Sequence, residues 1–453
     1  MALLCSACAT TPFKSPPADL PDRFEQSAAP TADWPSSEWY RAFGSDELIA
    51  LIAQADSTNL DLAAAQARIR QADARARIAG AALLPAVDAG ASATDIRGRA
   101  GGQSAHETDW SALLSASYEV DFWGRNRFAA QSARLQAAAS RADRDVIALT
   151  TVAGVANAYF DLLSLRERLA IASANLETTR QVLRAIEARY DAGIASPLEL
   201  ATQRAAEANA MLAIAPLTQS EVEARASLAL LLGRRPEEFS VMGATLEDLA
   251  VPVVAAGMPS ELLIRRPDIA SAELGLRAAH ADVDAARAAL FPRLTLTAEG
   301  GVQNPGVQAA VTTLAGTGYT LGLGASLVQT LFDGGRRRAT RDQAAAREEE
   351  LLAVYRTAIL DALRDVEVGL AAVHHLDLQA DAHMQNVQQS TLAFQGAEMR
   401  YRVGSGDFLT MLEAQRTLYA ARDQQSQYRL ARLQALVGIY RALGGGWPGA
   451  SGR

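Results

Sequence analysis

Residues 59–87 of this chain return as residues 266–294, in the same order and without a gap. Asp61, Arg70, Leu83 and Pro85 recur as Asp268, Arg277, Leu290 and Pro292, each 207 positions later. Further on, Arg189-Tyr190-x-x-Gly193 returns as Arg400-Tyr401-x-x-Gly404, now 211 positions later. Alanine-on-alanine matches come cheaply in so alanine-rich a sequence, but spaced Pro, Gly, Asp and aromatic matches do not. A chain built twice on one plan, each copy with long helices around two short strands, predicts a pseudo-symmetric assembly rather than one enzyme core.

Two copies of about 200 residues fit a length of 453 better than two or three unrelated domains. Hydrophobic content of 49% and charged content of 21% exclude a disordered chain. Net charge is −8, and Lys14 is the single lysine. That acidity argues against nucleic acid as the main partner. No window of about 18 apolar residues stands out, so no transmembrane helix is expected. Membrane β-barrel strands leave a much weaker trace and are not excluded by this.

Both cysteines lie in Leu4-Cys5-Ser6-Ala7-Cys8-Ala9, which rules out a disulfide framework or a thiol enzyme. A cysteine after small residues, followed by a Pro-rich tether (Pro12, Pro16, Pro17, Pro21), resembles a bacterial lipoprotein cleavage site. On that reading Cys8 carries the lipid, residues 1–8 are a truncated signal segment, and the true start lies upstream. The alternative is two incidental cysteines in a leader.

Residues 9–45 read as a tether in which Trp34, Trp39, Tyr40 and Phe43 can pack. Repeat one, 46–232, opens with a helix from about Asp46 to Leu84 that Pro85 stops. Period-2 alternation then predicts strands at about 86–94 and 110–120, separated by a Gly-, Ser- and charge-rich loop at Arg97–Asp109. Repeat two, 259–443, predicts strands at about 293–302 and 318–328. Each strand has an apolar face and a small or polar one. Trp110 and Tyr118 share a face eight residues apart, about 26 Å along a strand and close to the ~25 Å apolar band of a membrane barrel. Four strands cannot close a barrel, and open edges are not tolerated in lipid, so the chain must supply one sector of a shared barrel. Two copies would give eight strands and three would give twelve, with room for a lumen.

Each hairpin leads into a long helix free of proline, 126–191 and 337–403, each able to span about 100 Å. Apolar residues recur along both at helical spacing, which predicts packing on partner helices. Helix–turn–helix tips follow, where Gly193 and Gly404 end the incoming helices and Ser196 and Asp407 cap the outgoing ones. Return helices run to about Leu232 and Leu443. Residues 233–258 read as a linker and 444–453 as a tail.

Several segments now point to a known family. They are Tyr118-Glu119-Val120-Asp121-Phe122-Trp123-Gly124-Arg125-Asn126, Arg265-Arg266-Pro267-Asp268-Ile269 and Leu331-Phe332-Asp333-Gly334-Gly335-Arg336. Arg400-Tyr401-x-x-Gly404 through Ala414-Gln415-Arg416, and the ending Tyr440-Arg441-Ala442-Leu443-Gly444-Gly445-Gly446-Trp447, complete the set. In order and duplication the chain resembles the TolC-type outer membrane efflux proteins, within them the OprM/NodT lipoprotein branch. The resemblance implies a mainly α fold with a small membrane β-barrel sector and two tandem repeats. It implies a homotrimer with a shared 12-stranded β-barrel in outer membrane lipid and a periplasmic α-barrel. It also implies docking to a periplasmic adaptor and an inner-membrane pump, passive export of small molecules, no enzyme activity and no cofactor.

By the same resemblance, the periplasmic mouth is closed by side chains after the second tip, here Leu409 and Glu413, with Arg416 one turn on. Thr410 stands where some members carry a further aspartate, and Tyr401 matches a tyrosine that helps lock the closed tip. Gly193, Ser196, Leu198, Gly404, Asp407 and Phe408 fall on the tips expected to receive the adaptor. From the residues alone, Glu413 and Arg416 are equally an ordinary i,i+3 surface pair, and the tip residues are helix caps. His374, His375 and His383 are a candidate metal set, but adjacent histidines on a helix face apart, which favours a solvated face. The rival readings are a type I protein secretion channel and, in a different class, a soluble coiled-coil scaffold or adaptor.

Overall fold

The computed structural model describes residues 13, 14, 16, 20–25, 34–100, 103–253, 259–303 and 318–447. Cys8, the expected lipid-bearing residue, lies outside them. So do the N-terminal part of the tether, the end of the linker, the loop between the last two strands and the last six residues of the tail. Two compact units are present. One comprises Met1–Pro17, Arg68–Arg141 and Ser271–Arg356, and the other Ala18–Ala67, Ala142–Ala270 and Thr357–Arg453.

The first unit holds an antiparallel sheet in the order β1 (Ala86–Ala100), β2 (Gln103–Val120), β3 (Arg293–Gln303), β4 (Gly318–Val328). Its register sorts the side chains by face. Val87 lies opposite Ala116, Ala116 opposite Ala298, and Ala298 opposite Leu323, so this row is apolar. Asp88, Ser115, Glu299 and Gly322 make a polar row one residue along, and the rows keep alternating between faces. Tyr319, Leu321, Leu323 and Leu327 on β4 are all more than two-thirds exposed. A single-layer sheet with a bare apolar face is what lipid, not water, stabilises. At mid-strand on that face, Leu323→Arg is expected to cost about 2–4 kcal/mol in lipid. Thr297→Arg on the polar face is the control, and the fraction of protein that inserts and survives heating in detergent separates the two.

The loop expected at Arg97–Asp109 is a correction. β1 and β2 pair without a break from Ala86–Ser117 to Ala100–Gln103, so both strands run well past their expected ends at 94 and 110. The ladder needs only backbone N–H and C=O groups, and charged side chains such as Arg97 and Asp95, in contact at 3.2 Å, are solvated on it. Composition therefore misreads an extended hairpin as a loop.

The long elements are α3 (Arg125–Asp191) and α7 (Arg336–Arg402), followed by return helices α4 (Pro197–Leu231) and α8 (Phe408–Ala442). By length and composition α3 contains a segment apolar enough to cross a membrane, contrary to the expectation that none exists. That apolarity belongs to a core helix: Val155, Ala156, Phe160, Leu162 and Leu163 of α3 are buried in the second unit's core.

The helix expected from Asp46 to Leu84 is two helices, α1 (Asp46–Thr58) and α2 (Leu60–Ala81). Asn59 breaks it. Its backbone is extended, its Oδ1 accepts from Leu62 N at 3.0 Å, and its Nδ2 donates to Leu231 O at 2.8 Å. Repeat two breaks at the matching residue, between α5 (Leu262–Arg265) and α6 (Pro267–Ala288). There the buried Arg266 donates to Ala442 O at 3.0 Å, and its guanidinium meets Asp268 at 2.6 Å and Asp365 at 3.4 Å. Leu231 and Ala442 are themselves 211 positions apart. Thus the start of each repeat is tied to the end of its own return helix.

Residues 233–253 are more than a linker. Phe239, Val241 and Leu246 are buried in the core. Glu47 accepts from Met242 N, Gly243 N and Tyr159 Oη, and Arg166 donates to the Val241 and Gly243 carbonyls. Burial pushes the Tyr159 phenol up to about 12. The tether packs too: Trp39 stacks on Tyr440 at 4.9 Å, and Trp34 Nε1 donates to Leu443 O at 3.1 Å.

Candidate gate and docking tips

Both tips are built by the same local rules. At each, a glycine in the left-handed region ends the incoming helix, Gly193 at φ 74° and Gly404 at φ 75°. Ile194 N bonds back to Arg189 O and Gly193 N to Tyr190 O, with Ser405–Arg400 and Gly404–Tyr401 repeating the pattern. Ser196 caps α4 in a capping box with Glu199 (3.2 and 2.7 Å). Asp407 caps α8, accepting from Thr410 N at 2.9 Å and from its hydroxyl at 2.5 Å. Those bonds hold the Asp407 carboxyl below its ordinary range, the hydroxyl bond foremost. Thr410, where a second gate carboxylate is absent, is thus engaged in the cap.

Beneath the tips lies a core of Val182, Leu183, Ile186, Leu200, Tyr401, Phe408, Met411 and Leu412. The candidate gate residues divide over it. Leu409 and Glu413 are both exposed and line one open groove with Gln389, Ser390, Ala393 and Thr417. Arg416 is exposed as well, and among the described residues no ion pair joins it to Glu413. Leu198, the second residue of α4 as Leu409 is of α8, is 72% exposed against 63%, so both repeats carry that leucine and only the carboxylate is particular to repeat two.

Tyr401 is elsewhere. It is 6% exposed, its ring 6.0 Å from Phe408 and 4.8 Å from the Arg189 guanidinium carbon. Burial raises its phenol, the Arg189 charge lowers it, and Glu199 raises it again, for a net upward shift. Among the described residues its hydroxyl has no hydrogen-bond partner. Arg189 is the residue that the sequence reading did not single out beyond its place in the repeat. Its motif is identical to the one around Arg400, so only packing distinguishes the two. Among the described residues no cluster of three metal-ligating side chains occurs, and His383 stacks on Tyr428 at 4.6 Å.

A duplicated chain that pairs a bare-faced membrane sheet with capped helical hairpins is a membrane channel subunit. The outer membrane efflux protein family matches it twice, at residues 51–234 and 258–445. The pyoverdine export outer membrane protein OpmQ of Pseudomonas aeruginosa is 45% identical over 98% of this chain and 95% of its own length. The cation efflux system protein CusC of Escherichia coli is 28% identical over 99% of this chain and 97% of its own. Among solved structures, the outer-membrane channel OprN superposes with a TM-score of 0.87 at 31% identity, covering 96% of this chain and 99% of that one. The open state of the Neisseria gonorrhoeae MtrE channel gives 0.86 at 28% identity, covering 96% and 98%. The chain belongs to the outer membrane efflux protein family. It has the fold of the TolC-type trimeric α-barrel channels and is an efflux channel of the Gram-negative outer membrane, extending into the periplasm. The family is one of channel proteins rather than enzymes, and membership sets aside the soluble scaffold reading.

Proposed function

We propose that three copies of this chain form the passive exit duct of a tripartite export system, fed by an inner-membrane pump through a periplasmic adaptor. The observation that carries the trimer is the sheet: its outer strands β1 and β4 are both edges, and its apolar face needs lipid. Open edges have no partner in a bilayer, and three four-stranded sectors close a twelve-stranded barrel with a lumen. The polar rows, Asp88 and Glu299 among them, then face the lumen. Identity of 45% to pyoverdine exporters over nearly the whole chain makes pyoverdine, or a compound like it, the cargo we favour.

Leu409 and Glu413 form the gate in this reading, and Arg416 flanks it. Three Glu413 carboxylates about one axis repel one another and favour cations. The adaptor is received at Gly193, Ser196, Leu198, Gly404, Asp407 and Phe408. There Leu198 is bare, while Phe408 supports from below, being buried. Cys8 is the lipid anchor. Phe13 packs edge-on against His280 at 5.6 Å. Five residues of chain reach at most about 18 Å, and the eight helical residues from His280 to Ala288, toward the strands, rise only about 12 Å.

Conductance of the purified protein in planar bilayers tests the gate. Glu413→Ala is expected to raise basal conductance severalfold, and a value equal to that of the unaltered protein would move the gate elsewhere.

A further inference from the structure

We propose that the band of arginines beneath the membrane sheet is a docking surface for anionic phospholipid, holding phosphodiester headgroups of the periplasmic leaflet at Arg336 and Arg338. The proposal rests on the membrane placement of the sheet and is independent of the gate. Charge, exposed apolar side chains and position lead there.

Nine arginines lie within six residues, or about 9 Å, of the helix ends that meet the sheet. α7 supplies Arg336, Arg337, Arg338 and Arg341, α2 supplies Arg75 and Arg77, α3 supplies Arg125 and Arg127, and α6 supplies Arg287. The same turns carry only Asp282, Asp284 and Asp342, and the connections to the strands add Glu119, Asp121 and Asp333. Nine charges against six leave an excess of +3 in this band, although the whole chain is at −8. Asp88 and Arg293, at the feet of the strands, cancel each other.

Five of the six carboxylates are committed locally. Glu119 pairs with Arg125 at 2.7 Å, Asp121 with Arg127 at 3.4 Å and Asp333 with Arg337 at 3.7 Å. Asp284 pairs with Arg287 at 3.3 Å and Asp342 with Arg341 at 2.5 Å. Arg75, Arg77, Arg336 and Arg338 are exposed, and among the described residues none of the four makes an ion pair. Assembly does not remove the excess. Copies related by rotation about the membrane normal bring the same residues to the same height, so each neighbour adds as much positive charge as it meets.

The band also borders lipid. Phe122, 70% exposed, follows Val120, which ends the apolar row of β2 beside Leu294. β2 is an inner strand between β1 and β3, so a second copy joined at the sheet edges leaves this ring uncovered. A cavity of about 360 Å³ opens at this level, lined by Phe122, Trp123, Arg125, Arg336 and Arg337. Aromatic rings beside arginines at the foot of a membrane strand suit the headgroup layer. The guanidinium fork matches phosphate oxygens, and each such charge near an anionic membrane strengthens binding about fivefold.

Native mass spectrometry of the full assembled protein, titrated with phosphatidylglycerol or phosphatidylcholine, is the test. The unaltered protein should retain phosphatidylglycerol and release phosphatidylcholine. Arg336→Gln with Arg338→Gln should weaken that retention roughly thirtyfold. Arg336→Lys with Arg338→Lys should keep most of it, because the charge is unchanged. Arg184→Gln with Arg402→Gln removes the same charge near the opposite ends of α3 and α7 and should leave retention as it was. Equal retention of the two lipids, or an equal loss in the Arg184 and Arg402 pair, overturns the proposal. So does displacement by inorganic phosphate beyond that by chloride at equal ionic strength, which would assign the band to a soluble anion. Should the double Gln variant not assemble, Arg338→Gln alone still decides, with a roughly fivefold loss expected. The same spectrum counts chains, so a failure of the trimer reading shows separately from a loss of lipid.

Discussion

Gly444→Ala is expected to prevent the protein from reaching its heat-resistant assembled form. Gly444 sits at φ 83°, and an added Cβ would lie 2.1 Å from the Arg265 carbonyl oxygen and 3.0 Å from its carbon. The left-handed backbone alone costs an alanine about 1–2 kcal/mol. Overpacking against main chain that cannot swing aside adds about 1–3 kcal/mol. Repeat one offers the same test at the equivalent residue: Gly233, at φ 63°, would place its Cβ 2.4 Å from Thr58 O. Gly404→Ala is the control, because its φ of 75° is alike but nothing lies within 4 Å of the added carbon. It should lose only the backbone part, about 1–2 kcal/mol. Melting in detergent, followed by helix ellipticity, ranks the three. Equal losses at Gly404 and Gly444 would show that the close approach to Arg265 does not matter.

Arg266→Met should be comparably severe for a different reason. Removing the guanidinium strips Ala442 O of its donor and leaves Asp268 and Asp365 facing a thioether. Breaking a fully buried charge pair costs about 3–5 kcal/mol; here the loss should fall below that, because both carboxylates are part-exposed and Asp365 keeps Arg364 at 2.8 Å. Asn59→Ala, at the matching place in repeat one, removes a helix cap and one bond to Leu231 O but strands no charge. Its cost should be nearer 1–2 kcal/mol. Denaturant unfolding of both variants checks the order. An Arg266→Met no weaker than Asn59→Ala would mean that the two carboxylates are satisfied by water.

Much of this fold was legible in the sequence because its largest elements obey simple periodic rules. The long helices carry no internal proline, the strands alternate, and each tip announces itself by a glycine three residues before a capping Ser or Asp. Spaced repeats then fixed the order of elements. Three things were not legible, each for a physical reason. The hairpin of β1 and β2 extends through Arg97, Gly98 and His106 because ladder bonds are made by backbone, which composition does not report. The breaks at Asn59 and Arg266 look helical locally and are decided by what those side chains reach across more than 170 residues. The inward turn of Arg189 and outward turn of Tyr190 is invisible because the sequence at Arg400 and Tyr401 is the same. Of the candidate gate residues, Leu409 and Glu413 were named by resemblance, and they line one groove. Tyr401 was placed with them by resemblance and lies instead in the tip core.

The ties from Asn59 to Leu231 and from Arg266 to Ala442 each join the beginning of a repeat to its own end, never to the other repeat. Each half therefore forms a closed circuit along the chain. During synthesis the first circuit can shut once residue 233 has emerged, before any of the second half exists. The pairing of β2 with β3 and the helix packing of the shared cores then wait for the second copy. Such a chain carries its own safeguard against exchanging arms with a neighbour. By the time two molecules meet, the ends that would trade places are already fastened at home.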